Sequence, residues 1–104
     1  MNILFVCSRN KKRSLTAEAI FKNNGEHVVR SAGTGETARV RISEKLLLWA
    51  DLVFVMEKDH KQRLLEKFNV ADKQIVILDI PDEYEYMDEE LIQMLQDSVG
   101  QYFN

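Results

Sequence analysis

Asn2-Ile-Leu-Phe-Val-Cys-Ser-Arg-Asn-Lys-Lys-Arg-Ser14 decides how the rest of the chain is read. Ile3 to Val6 is an apolar run of strand length that breaks abruptly into a polar loop, and a helical pattern starts at Ser14. The only cysteine of the chain, Cys7, stands at that break, and Arg13 follows six residues later, so the loop reads Cys-x5-Arg-Ser with Asn10 in its middle.

That spacing suits an oxyanion. A short loop from a strand's carboxyl end to a helix's amino end can curl its backbone N–H groups inward, toward the positive end of the helix dipole. A thiol on the floor of such a loop is expected to gain thiolate character from the dipole, from Arg13 and from the Ser14 hydroxyl. The planar fork of Arg13 can hold two phosphate oxygens, which Lys cannot. Free cysteine more often behaves as a small buried hydrophobe, and the spacing alone is weak. The strand before, the helix after, the serine following the arginine and the polarity of the loop favour the anion site. Ser8, Arg9, Asn10, Lys11, Lys12, Arg13 and Ser14 form the candidate phosphate-binding set.

Outward from the loop, Ala17, Ile20 and Phe21 recur at helical spacing between Ser14 and Asn23, and Asn24-Gly25 ends the pattern. His27 to Ser31 reads as a short second strand, with His27 a surface residue. Ser31-Ala-Gly-Thr-Gly35 is a small-residue turn that permits close backbone approach, and residues 36–41 form a polar loop in which Arg39 and Arg41 would face the site mouth. Ile42 to Ala50 predicts a helix with Ser43 as N-cap, and Trp49 as a core or edge anchor. Asp51 to Met56 and Gln74 to Leu78 are near-continuous apolar runs, the mark of strands buried on both faces of a parallel sheet. Between them Glu57 to Phe68 is helical, with His60 expected on the surface because no Cys or His stands near it to share a metal. Asp88 caps a last amphipathic helix carrying Leu91, Met94, Leu95, Val99 and Tyr102.

Four strands alternating with four helices predict an α/β fold. Right-handed crossovers then give a three-layer sandwich, with a four-stranded parallel sheet and helices on both faces. Ligands bind such sheets outside the carboxyl ends of the strands, which places Cys7 and Asp82 on one edge. With 104 residues, the expectation is a single domain spanning 1–104. No apolar run reaches membrane-spanning length and no basic leader or cleavage site opens the chain, so a cytoplasmic protein is expected, with no membrane partner. One cysteine excludes an intramolecular disulfide and argues against a zinc–thiolate cluster; no metal and no cofactor are expected. Net charge is −3, yet Arg9, Lys11, Lys12 and Arg13 crowd one loop, while residues 79–90 hold seven acids. That balance, without interleaved aromatics, argues against a nucleic-acid partner.

Cys7-Ser-Arg-Asn-Lys-Lys-Arg13-Ser14-Leu-Thr-Ala17-Glu18-Ala19-Ile-Phe21, followed by Ser31-Ala32-Gly33-Thr34, resembles the low-molecular-weight protein tyrosine phosphatases. Weaker similarity continues through Asp51-Leu-Val-Phe-Val-Met56 and Ile80-Pro81-Asp82. Typical members are roughly half as long again, so this would be a shortened one. The resemblance implies sheet order 2-1-3-4 and a metal-independent phosphomonoesterase working through a cysteinyl-phosphate intermediate. Cys7 would be the nucleophile and Arg13 the anion clamp. Substrates would be phosphotyrosine proteins or small aryl phosphates, with inorganic phosphate or sulfate binding the same loop. In the family an aspartate after the fourth strand protonates the leaving oxygen, a role that falls to Asp82, with Asp79 as runner-up. Crowding of carboxylates in this loop favours the protonated form of whichever member is buried nearest the site, so an acidic optimum is expected. Tyr84 or Tyr86 would line the pocket or cover the core edge. The family's serine after the second strand supports the loop, so Ser31 would hold Asn10, with Ser14 beside them. Arg9 stands where the family usually has glycine, although a nest of inward amides needs residues tolerant of left-handed backbone; Asn10, which tolerates it, is retained. Lys12 replaces a second loop cysteine, leaving the thiol without a protective disulfide. Two other readings share the loop: a non-catalytic phosphate or phosphoprotein reader, and an arsenate reductase dependent on an external thiol.

Overall fold

The computed structural model describes residues 1–22, 25–70 and 72–103. The element order is β1 (Asn2–Cys7), α1 (Arg13–Phe21), β2 (Val28–Gly33), α2 (Glu44–Trp49), β3 (Leu52–Val55), α3 (Lys58–Lys67), β4 (Gln74–Ile77) and α4 (Glu89–Val99). A 3₁₀ turn, Gly100–Phe103, continues α4. The expected end of the first helix at Asn23 and Asn24 lies outside the described residues.

All strand pairs are parallel and the sheet order is β2-β1-β3-β4, as the resemblance implied. Alternation along β1 and β3 sorts side chains to two faces. Ile3, Phe5, Cys7, Leu52, Phe54 and Met56 pack under α1 and α4 with Ala17, Leu91, Leu95 and Val99. Leu4, Val6, Val53 and Val55 face the other way, onto Leu47 of α2 and Leu64 of α3. Phe5 lies between Phe21 and Phe54, with ring centroids at 5.9 and 5.2 Å. The two central strands are buried on both faces, as their unbroken apolar runs require. The equally apolar Gln74–Ile77 is only half-buried because it is an edge strand.

Helix starts follow from local chemistry. Ser43 accepts from Leu46 N–H at 3.2 Å, and Asp88 from Glu90 N–H at 2.8 Å. Glu57 opens α3 with its own N–H donated to His60 Nδ1 at 3.1 Å. α1 differs: its N-cap residue, Lys12, makes no side-chain capping bond, and the first turn carries no acid. Among the described residues no helix is long and apolar enough to cross a membrane.

Candidate active site

Cys7 ends β1, and the loop that follows is held from behind. Thr34 N–H donates to Cys7 O at 2.9 Å, Gly35 N–H to Ser8 O at 2.8 Å and Arg39 N–H to Arg9 O at 3.0 Å. Arg39 Nε adds a bond to Asn10 O at 3.3 Å. With four successive carbonyls engaged by the 34–39 segment, the loop's N–H edge is left for the opposite side, where Cys7, Ser8, Arg9, Lys11, Lys12, Arg13 and Asp82 line one recess. Gly33 permits this approach: a Cβ there would lie 2.5 Å from Ser8 O and 2.7 Å from Ala38 Cβ. Only Asn10 in the loop has positive φ, at 58°. Arg9 therefore occupies the glycine position without left-handed backbone.

Asn10 and Ser14 do not reach the recess. They are fully buried beneath it, where Asn10 Nδ2 donates to Ser14 Oγ at 2.8 Å and Ser14 Oγ lies 2.9 Å from Cys7 Sγ. Arg13 is buried as well, its Nη1 donating to Glu57 Oε2 at 2.5 Å and to Ile80 O at 2.8 Å. Those acceptors take Nη1 and leave the Nε/Nη2 edge for two further oxygens. Asp82 Oδ1 is 3.8 Å from Arg13 Nε, with its side chain half-exposed.

Several expectations need correction. Ser31 does not support Asn10: its hydroxyl donates to Glu18 Oε1 on α1 at 2.5 Å, because the end of β2 runs beside that helix. Arg39 and Arg41 do not line the mouth; Arg39 is spent behind the loop, and Arg41 forms an isolated bridge with Gly33. Asp79 lies on a neighbouring recess with Glu57, Lys58, Asp59, Ile80 and Pro81. Tyr84 packs at the core edge, one of the two places expected for it, and its hydroxyl pKa is raised by loss of solvation first and by Glu90 and Glu83 next. Tyr86 is exposed. His60, expected on the surface, is 1 % exposed, with Ser8 Oγ 2.9 Å from its Nε2. Its pKa is lowered, by burial first and by the Arg13 cation second.

Sequence reasoning missed Glu57 and His60 at the site. The available signal was topological: β3 neighbours β1, so the residues that follow β3 emerge beside the loop that follows β1. Among the described residues no group of three or more His, Cys, Asp or Glu side chains is placed to hold a metal ion.

Comparison with known proteins places this geometry. A sequence model of the family "Low molecular weight phosphotyrosine protein phosphatase" matches residues 2–48. No curated protein matches. Among solved structures, a mutant of YwlE from Bacillus subtilis is 26% identical at TM-score 0.74, over 100% of this chain and 99% of that one. The YwlE arginine phosphatase with its cysteine changed to serine, carrying a phosphorylated active-site serine, is 26% identical at TM-score 0.72, over 97% of this chain and 95% of its own. The tyrosine phosphatase Wzb from Escherichia coli K30, in complex with phosphate, shares the fold at TM-score 0.78 and 20% identity, over 98% and 95% of the two chains. With the family's sequence model matching residues 2–48 and the family's fold shared over its whole length, the chain is similar to the low-molecular-weight protein tyrosine phosphatases, which are hydrolases.

Proposed function

We propose that the chain is a metal-independent phosphomonoesterase that forms a cysteinyl-phosphate on Cys7, and that Asp82 is its general acid. The observation that carries this reading is the convergence of Cys7, Arg13 and Asp82 on one recess at the carboxyl end of β1. The uncapped amino end of α1 and the Nε/Nη2 edge of Arg13, whose Nε faces Asp82 at 3.8 Å, supply donors for the three non-bridging oxygens of a phosphoryl group. Cys7 Sγ attacks phosphorus in line; the S–P bond forms as the ester P–O bond breaks, and the leaving oxygen takes a proton from Asp82. Water then attacks phosphorus and gives a proton back to Asp82, and the S–P bond breaks to return the thiolate, which the Ser14 hydroxyl stabilises. Substrates are phosphotyrosine proteins or small aryl phosphates, and inorganic phosphate occupies the same loop; the Wzb structure, a complex with phosphate, supports an anion of this kind as ligand. The serine phosphorylated in the YwlE variant supports a nucleophilic residue at the loop's start.

Cys7→Ser is expected to abolish turnover of an aryl phosphate while phosphate binding remains measurable by calorimetry. Turnover at the parent rate in that variant would remove Cys7 from the mechanism.

A further inference from the structure

The His60 ring is buried beside the loop and uses both of its nitrogens. Glu57 N–H donates to Nδ1 at 3.1 Å, so Nδ1 is the unprotonated nitrogen. The ring proton is then on Nε2, and the contact of 2.9 Å to Ser8 Oγ is a bond that His60 donates. Ser8 Oγ has thereby accepted, and its own hydrogen is left for another acceptor. Ser8 lines the same recess as Cys7 and Arg13. The other end of the ring holds the backbone of Glu57, whose carboxylate takes Arg13 Nη1. A capping box needs only a Glu or Gln at this third helical position. A ring that is 1 % exposed, and that reaches past the helix start to a loop hydroxyl, does more than cap.

We propose that His60 is a positioning residue of the phosphate loop: its Nε2–H fixes the Ser8 hydroxyl so that the Ser8 hydrogen is presented to an anion oxygen, and its Nδ1 seats the residue that pairs with Arg13. The inference builds on the phosphatase reading but concerns anion binding, which is measured separately from turnover.

Three observations test it. Long-range ¹⁵N NMR of the parent protein should show the Nε2–H tautomer for His60; an Nδ1–H tautomer overturns the proposal and needs no variant. Ser8→Ala, which leaves the core intact, should weaken inorganic phosphate binding by about tenfold, the worth of one hydrogen bond to a charged group. His60→Asn keeps an acceptor for Glu57 N–H but is too short to donate to Ser8, whereas the longer His60→Gln restores a donor. His60→Asn should therefore match Ser8→Ala, the double variant should be no weaker than either single one, and His60→Gln should recover most of the parent affinity. Additive losses in that cycle, or unchanged phosphate affinity in Ser8→Ala, would overturn the proposal. If the parent binds phosphate and the cycle behaves as expected while aryl phosphate turnover is absent, the phosphatase reading fails and this one stands.

Discussion

At Cys7 the sulfur meets a hydroxyl whose oxygen is already occupied. Asn10 donates to Ser14 Oγ, so the Ser14 hydrogen is directed to Sγ at 2.9 Å in preference to Ala32 O at 3.4 Å. A hydrogen bond donated to sulfur stabilises charge there, both before attack and when the thiolate leaves. Asp82 shares that recess and Asp79 does not, which yields a paired test. Asp82→Asn should slow aryl phosphates with poor leaving groups by about 10²–10⁴-fold and good ones less, whereas Asp79→Asn should keep the parent's leaving-group dependence. The reverse outcome moves the acid to Asp79. His60 gives a stability test. Burial and Arg13 lower its folded pKa, with Arg63 adding and Glu57 and Asp59 opposing, while the unfolded value stays near 6.5. Between those two values the unfolded chain binds the extra proton, so this contribution to stability is present above about pH 6.5 and is lost as pH falls toward the folded pKa. Melting temperatures at about pH 7.5 and 5.5 should differ less in His60→Gln than in the parent. An equal difference would mean that another group carries the effect.

Among the elements, the contrast at helix starts carries the argument. α2 and α4 satisfy their first N–H groups with Ser43 and Asp88, both read correctly from sequence because capping is a local interaction. α1 has no such partner, and its start is where the loop's anion recess opens. The 34–39 segment is the second device, and Gly33 is its pivot. Gly33→Ala should destabilise the protein by about 1–3 kcal/mol and depress turnover, since neither Ser8 O nor Ala38 Cβ can move without dislodging the loop. Gly25→Ala, with open space around the added methyl, is the control. Equal melting temperatures for the two variants would show that the loop is not held from behind. Strand identities were readable because the apolar runs are continuous. The edge position of β4 came only with the sheet order that the resemblance implied, because composition does not say which strand lacks a neighbour, and the apolar run alone suggested a strand buried on both faces. Neither was the backbone role of Arg39, since a hydrogen bond to a carbonyl has no sequence signature.

Over the whole molecule, parallel order β2-β1-β3-β4 gathers the carboxyl ends of strands that are far apart in sequence. Cys7, Glu57 and Asp82 meet there, with Arg13 touching both acids. The contiguous part of the site was legible because one loop holds Cys7, Asn10, Arg13 and Ser14. The part contributed from beyond β3 was hidden, because only the sheet order brings Glu57 and His60 to Arg13 and Ser8. Charge follows the same edge: the basic loop faces the acidic segment after β4, and Lys12 pairs with Glu85 at 3.2 Å across the gap. Everything at this edge serves one claim, that a phosphoryl group passes through Cys7. Acid quenching of the parent during turnover of an excess of aryl phosphate, followed by mass spectrometry of its peptides, tests that claim most directly. The expected result is a phosphoryl group on the peptide containing Cys7, lost when substrate is exhausted and absent in Cys7→Ala. Full turnover with no such adduct, or an adduct on any other residue, would contradict it.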